Sequence, residues 1–311
     1  MMNGVIVIDK PAGKTSHDVV REVRKALGIK KAGHTGTLDP LATGVLPVCL
    51  NEATKLAGFL TGDDKEYLAN MLLGVKTETM DTEGKVISRS GNFVSDEEIK
   101  SLVSRMTGKI KQIPPAYSAV KHCGKPSYKW ARSGILPDLK PRDVTIYSIV
   151  VEKIDFPEVT LRVACSKGTY IRSLCSDIGD ALGTGACLNG LRRLQSGIFS
   201  EKMAVDLRDY AGDDKKEELI KKILPMTELL PLTATIELKD HSAAKLRNGW
   251  QPSVEMLKEY DLPLLKAGDM VKFINGGYLL AVAQMLAPVD NLSAFDGKTQ
   301  AAKIVRVFNY S

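Results

Sequence analysis

The sequence predicts a chain of mixed helices and strands folded as one large and one small domain. Three observations carry that prediction. Apolar residues of 16–27 and 171–182 recur at helical spacing, so both segments read as amphipathic helices. Residues 144–154 and 159–165 read as strands joined through a turn at Pro157, which predicts an antiparallel hairpin. Beyond a linker at 225–231, short strands gather around Asn275-Gly276-Gly277, the pattern of a small β-barrel-like unit. With 311 residues, 44% hydrophobic and 26% charged, the chain is long enough for two cores.

Taken in order, residues 3–9 are rich in β-branched side chains and predict a strand, followed by the loop Lys10-Pro11-Ala12-Gly13-Lys14. Thr15 or Ser16 then caps a helix whose Val19, Val23, Ala26 and Leu27 share one face. Strand, Gly-Lys-Thr-Ser and helix together resemble a nucleotide-binding P-loop, but that motif would need glycine where Ile8 stands, and Pro11 removes a backbone donor. An NTPase is therefore disfavoured. Further on, 45–50 reads as a strand, 52–60 as a short helix and 67–73 as a buried strand. Residues 77–81 form a polar connection, and Ser95-Asp96-Glu97-Glu98 is a capping box that opens a helix to about Met106. Thr169 is positioned to cap the helix that ends at Gly183, and Leu191-Arg192-Arg193 forms an apolar-basic unit within 187–194. A helix rich in lysine and glutamate over 213–224 precedes the linker, and 269–274, 278–283 and 302–308 are the strands of the small domain.

The net charge of +6 is unevenly spread. Between Arg105 and Arg142 stand nine basic residues and one acid, Asp138, interleaved with Tyr117, Tyr128 and Trp130. Cations mixed with aromatics suit a surface that neutralises phosphates and stacks on bases, and equally a solvated basic face over ordinary core aromatics. Pro114-Pro115 and glycines at 108, 124 and 134 make this stretch an extended excursion with one short helix over 127–132. Five cysteines, with no C-x-x-C pair and no histidine at zinc-ligand spacing, suggest reduced thiols of a cytosolic protein and neither a disulfide framework nor a metal site. The apolar run 278–289 is too short to span a bilayer and the N-terminus lacks a signal-peptide pattern, so no membrane role is expected.

The densest chemistry lies at 33–47, Gly-His-Thr-Gly-Thr-Leu-Asp-Pro-Leu-Ala-Thr-Gly-Val-Leu-Pro. Three glycines surround one histidine, two threonines before the proline, and a single carboxylate, Asp39, set before Pro40, which describes a shaped loop. On the residues alone, Asp39 fits either a reactive carboxylate or the cap of a helix or turn begun by Pro40 and Leu41. Arg172 stands in the first turn of a predicted helix, where the helix dipole disfavours a cation. It is either a surface arginine or one held by a specific acid.

Read together, Lys10-Pro11 to Thr15-Ser16, the 33–47 loop, Lys65-Glu66-Tyr67, Gln-Ile-Pro-Pro-Ala-Tyr-Ser-Ala-Val-Lys at 112–121, residues 168–179 and Leu191-Arg192-Arg193 resemble the TruB family, the tRNA pseudouridine-55 synthases. The resemblance implies an α+β fold with a central, mostly antiparallel sheet flanked by helices over 1–232, and a PUA-like RNA-binding barrel over 233–311. It implies that Asp39 is the catalytic carboxylate and that Arg172 pairs with it. Tyr67 packs on the target uracil and is a candidate for proton removal, Tyr170 and Leu191 line the pocket, and His34 holds the flipped-out RNA loop. Residues 112–142 resemble a thumb-like insertion that closes on RNA. Lys10, Arg192, Lys121, Arg132 and Arg142 are the expected substrate-binding cations.

The chemistry agrees with this set. Turning uridine into its C-glycoside breaks the N1 bond to ribose and rejoins the base through C5, with no change of oxidation state, so no cofactor or metal is expected. A carboxylate, a cation to hold it ionised and an aromatic ring to grip the base are required. The target is stacked in a folded tRNA T-arm and must be extruded. The expected partner is tRNA, in the cytoplasm, with no obligatory protein or guide RNA, because guide-dependent relatives are expected to lack the insertion. A purely RNA-binding protein would not need Asp39 together with Arg172.

Overall fold

The structure, a computed structural model, describes residues 2–210, 212 and 215–310. Its main sheet uses, in chain order, β1 (Gly4–Lys10), β2 (Ala32–His34), β3 (Thr43–Leu50), β4 (Lys65–Leu73), β5 (Gly108–Gln112), β6 (Arg142–Asp155), β7 (Glu158–Cys165) and β8 (Ala186–Ser196). Across the sheet the order is Leu224–Pro225, β1, β3, β8, β4, β7, β6, β5, with β2 also paired to β3. Neighbours are antiparallel except β3 and β8, which run parallel with Arg192 opposite Thr43 and Arg193 opposite Gly44. This is the mostly antiparallel α+β sheet that the sequence led us to expect.

Periodicity explains the layers. β4 alternates, turning Lys65, Tyr67, Ala69, Met71 and Leu73 inward. β1 is apolar on both faces because both are covered: Ile6 and Ile8 join the main core with the helix Ser16–Leu27 (α1), while Val5 and Val7 belong to a second cluster. That second cluster contains Leu279, Val282 and Phe308 from the C-terminal region, which therefore packs on the back of β1 and β3. α1 begins as expected, with a capping box between Thr15 and Asp18, and ends at Gly28 with φ +68°. The helix Asp96–Arg105 (α2) carries the Ser95–Glu98 capping box. Ser127–Arg132 (α3) is the short helix of the basic excursion, and the 144–165 hairpin forms as β6 and β7.

The C-terminal region is a four-stranded sheet of β9 (Ala234–Glu237), β10 (Met270–Asn275), β11 (Tyr278–Met285) and β12 (Ala302–Val307), in that order, with only the first pair parallel. Its tight turn falls at Gly276 and Gly277, both at positive φ. It has its own apolar core, built on Phe273, Leu246 and Leu257 among others.

Several expectations change. Tyr170, not Thr169, is the N-cap of the helix Ile171–Ala181 (α4), while the Thr169 hydroxyl donates to the Ser166 carbonyl. Residues 52–60 split into a 3-10 turn, Asn51–Leu56, and one α turn, Ala57–Leu60. The helix expected over 213–224 is confined to Lys216–Ile220, and its expected start at Asp213 lies outside the described residues. The expected linker 225–231 is not free. Leu224–Pro225 pairs with β1, and Met226 and Leu229 are buried in the cluster that joins the two regions. Among the described residues no helix is long and apolar enough to cross a membrane.

Candidate active site

The reactive loop is narrower than its sequence motif. Gly33 and His34 lie in β2 and Thr43 to Pro47 in β3, leaving residues 35–42 as the loop that carries Asp39. Three side chains from two of the other motifs hold it. The Ser16 hydroxyl accepts from the Leu38 N–H at 2.8 Å and donates to the Leu38 carbonyl at 3.0 Å, gripping the residue next to Asp39. Lys10 Nζ donates to the carbonyls of Pro40 and Ala42 at 3.2 and 2.6 Å. Arg193, fully buried, donates to Val45 O and Gly36 O at 2.7 and 3.0 Å. Gly44 at φ +96° lets β3 and β8 meet, since a Cβ there would sit 2.3 Å from Arg193 O. That close approach is to protein backbone, so this glycine serves the junction of the two strands.

Asp39 caps no helix: residues 40 and 41 form a turn closed by the Ala42 N–H to Asp39 O bond. Its carboxylate instead meets Arg172, Nε to Oδ2 at 2.9 Å. Arg172 is buried, and its other nitrogens donate to Thr79 O and Tyr117 O, each at 2.9 Å. A second carboxylate, buried Asp81, lies 3.4 Å from Arg172 Nη1. One guanidinium thus faces two acids in a poorly solvated setting. Asp39 is open to the cleft on one side, yet burial raises its pKa above the ordinary carboxylate range, opposed by Arg172 and reinforced by Asp81. Asp81 escaped the sequence reading, because an aspartate in a polar turn rich in threonine looks like a turn former.

A cleft of about 570 Å³ opens over this pair. Tyr67, Tyr170, Leu191 and Arg193 line it with Asp39 and Arg172. Tyr67 is buried on the inward face of β4, opposite Arg193 in the register, and burial raises its phenol pKa. Tyr170 stands at the head of α4, its phenol also raised by burial. Ser118, buried beside it, comes from the root of the basic excursion. Arg142 and Lys167 bring positive charge to the rim, while Lys65 lies buried in the wall with its ammonium on the Thr61 and Asp63 carbonyls. His34 is half-buried outside these walls, its buried Nδ1 without a hydrogen-bond partner among the described residues, and its pKa is lowered first by burial and then by Arg193. Among the described residues no group of three or more His, Cys, Asp or Glu is arranged to hold a metal ion.

Four expected substrate cations stand elsewhere. Lys10 is fully buried behind the loop, its ammonium satisfied by three carbonyls, so it supports Asp39 and does not face the cleft. Burial pushes its pKa down to about 8. Arg192 is engaged by Asp9, bidentately, and by Glu201. Its buried neighbour Arg193 is the one at the cleft. Lys121 and Arg132 belong to the excursion outside the cleft walls, Arg132 lying 5.6 Å from the Tyr128 ring, whereas Arg142 lines the cleft. The correction for Lys10 is testable. Lys10→Met leaves carbonyls unpaired and is expected to cost about 2–3 kcal/mol of stability, with RNA affinity unchanged in a filter-binding measurement.

Comparison with known proteins follows the same outline. Residues 24–171 match the model of the TruB family pseudouridylate synthase N-terminal domain, and residues 172–231 that of the tRNA pseudouridylate synthase B C-terminal domain. The chain is 51% identical over 309 residues to tRNA pseudouridine synthase B of Syntrophus aciditrophicus, covering 99% of both chains. It is 39% identical to the protein of that name from Geobacter sulfurreducens, covering 99% of this chain and 100% of that one. Among solved structures it resembles a chain of a Cbf5-Nop10-Gar1 complex, with a TM-score of 0.75, 32% identity and coverage of 99% of this chain and 85% of that one.

Proposed function

Because the chain belongs to the TruB family of pseudouridylate synthases, we propose that it acts on the uridine at position 55 of the tRNA T-loop, with Asp39 as the catalytic carboxylate. The reaction is the isomerisation of uridine to pseudouridine in tRNA. The bond from N1 to C1′ breaks, the bond from C5 to C1′ forms, and the proton leaving C5 is replaced by one gained at N1. The observation that carries the site assignment is the ion pair of Asp39 with buried Arg172 on the floor of a basic cleft walled by Tyr67 and Tyr170. In this reading Asp39 attacks the extruded nucleotide or takes a proton from its sugar, and Arg172 favours its ionised form against the burial that disfavours it. Tyr67 and Tyr170 grip the base, Leu191 closes the apolar side, and His34 stands by the displaced RNA stack.

We divide the chain into a catalytic domain over 1–232, with a thumb-like insertion at about 112–142, and a PUA-like domain over 233–311. Two separate apolar clusters and the end of the family match at residue 231 support that division. The enzyme is proposed to work alone in the cytoplasm, without guide RNA or protein partner. The excursion supports this reading, since it brings Lys121, Lys125, Lys129 and Arg132 beside Trp130 and Tyr128 on one arm. Replacing Lys121 with Ala should weaken tRNA binding, leave kcat unchanged and lower the slope of log K against log salt by about 1. The direct assay is tritium release from a T-arm stem-loop labelled at uracil C5, with purified protein alone in EDTA. Release without any added guide or partner is expected, and a strict need for either would overturn the stand-alone reading.

A further inference from the structure

The strand that launches the basic excursion ends in a side chain bonded to the backbone of Tyr170, a residue that lines the active site. Gln112 is the last residue of the edge strand β5, opposite Arg142 in the register, and the chain leaves the sheet immediately after it. Its side chain is buried, with both ends of the amide used on one residue. The Tyr170 N–H donates to Gln112 Oε1 at 2.7 Å, and Gln112 Nε2 donates to the Tyr170 carbonyl at 3.0 Å. Tyr170 is the N-cap of α4, in extended conformation, and among the described residues no side chain caps that helix end. The two-pronged amide replaces the strand neighbour that this backbone lacks.

Resting on the reading of the site given above, we propose that Gln112 is a positioning residue for the reaction: it sets Tyr170 against the bound base and ties that position to the root of the RNA-gripping insertion. Two bonds to one residue fix the rotation of this backbone as well as its distance, and so set the direction from which the Tyr170 side chain enters the cleft. The neighbouring residues repeat the attachment. Arg172 donates to Tyr117 O and Ser173 to Ile113 O, each at 2.9 Å. Tyr170, Arg172 and Ser173 of one helix start thus grip Gln112, Tyr117 and Ile113 of one insertion root. The Gln112 amide can be altered with little change of shape, and it lies outside the residues that line the cleft. A neutral primary carboxamide both donates and accepts here, whereas a carboxylate of the same shape only accepts and would oppose the Tyr170 carbonyl.

The test compares Gln112→Glu and the near-isosteric, apolar Gln112→Met with wild type on a T-arm stem-loop. Both variants should lower kcat by about 30-fold or more, the scale of loss set by a small misplacement of a pocket group, with RNA Kd within about twofold. In Gln112→Glu the deficit should shrink as pH falls, because the protonated acid regains a donor, while Gln112→Met shows no such recovery. Wild-type kcat in both variants, or a loss that follows thermal melting with the same pH profile in both, would overturn the proposal. Absence of isomerisation by the wild type would instead defeat the functional reading, so the two failures are distinguishable.

Discussion

Asp39→Asn is expected to abolish isomerisation, by about 10⁴-fold or more, while binding the T-arm as wild type does. The amide has the shape of the carboxylate but neither its nucleophilicity nor its basicity, and it no longer completes the ion pair with Arg172. The same residue sets two opposite dependences on pH. Catalysis needs the carboxylate, so kcat should fall as pH drops through a pKa that burial has raised above the ordinary carboxylate range. Stability runs the other way. A carboxyl whose folded pKa lies above its unfolded value binds more protons in the native state, so its contribution is present at low pH and lost as pH rises through that window. Removing the charge should therefore not destabilise the fold, and the melting temperature of Asp39→Asn is expected to equal or exceed that of wild type. A lower melting temperature together with lost activity would point to a structural aspartate.

Arg172→Met carries the second large effect, on stability as well as rate. The guanidinium holds two carboxylates, Asp39 and buried Asp81, and the carbonyls of Thr79 and Tyr117. Its removal leaves Asp81 unpaired in the interior, which costs about 3–5 kcal/mol, readable in a denaturant titration. The pKa of Asp39 rises further once its opposing cation is gone, so residual activity should require higher pH than in wild type, at a kcat lowered about 100-fold. Arg172→Lys keeps one charge but not the planar fork and should fall between the two. Wild-type stability in Arg172→Met would remove the basis for treating this network as buried and coupled.

How far these features are legible in the sequence depends on whether a residue's role is local. The α1 cap, the 144–165 hairpin and the Asn275-Gly276-Gly277 turn were readable because capping, alternation and turn chemistry act within a few residues. β5 was missed: Gly-Lys-Ile-Lys-Gln is an edge strand with one buried residue, so no apolar alternation marks it. Lys10 and Arg192 were assigned to substrate because a cation in a motif looks the same whether it faces a cleft or a carbonyl cage. Only the tertiary arrangement, with Pro40 and Ala42 brought back over Lys10 and Asp9 beside Arg192, decides between them. Asp81 was illegible for the same reason. Its partner lies 91 positions along the chain, and no local pattern separates it from a turn aspartate. Asp39 and Arg172 became readable only as a pair, through the order of the surrounding motifs.

Asp39, in this cleft, is proposed to turn over one uridine of the T-loop. The measurement that tests it most directly maps pseudouridine by position along a full tRNA transcript after incubation with wild type and with Asp39→Asn, at matched RNA occupancy. A single modified site at position 55 with wild type, and none with Asp39→Asn, is the predicted result. Modification by the mutant, or wild-type modification at scattered uridines with position 55 untouched, would contradict it.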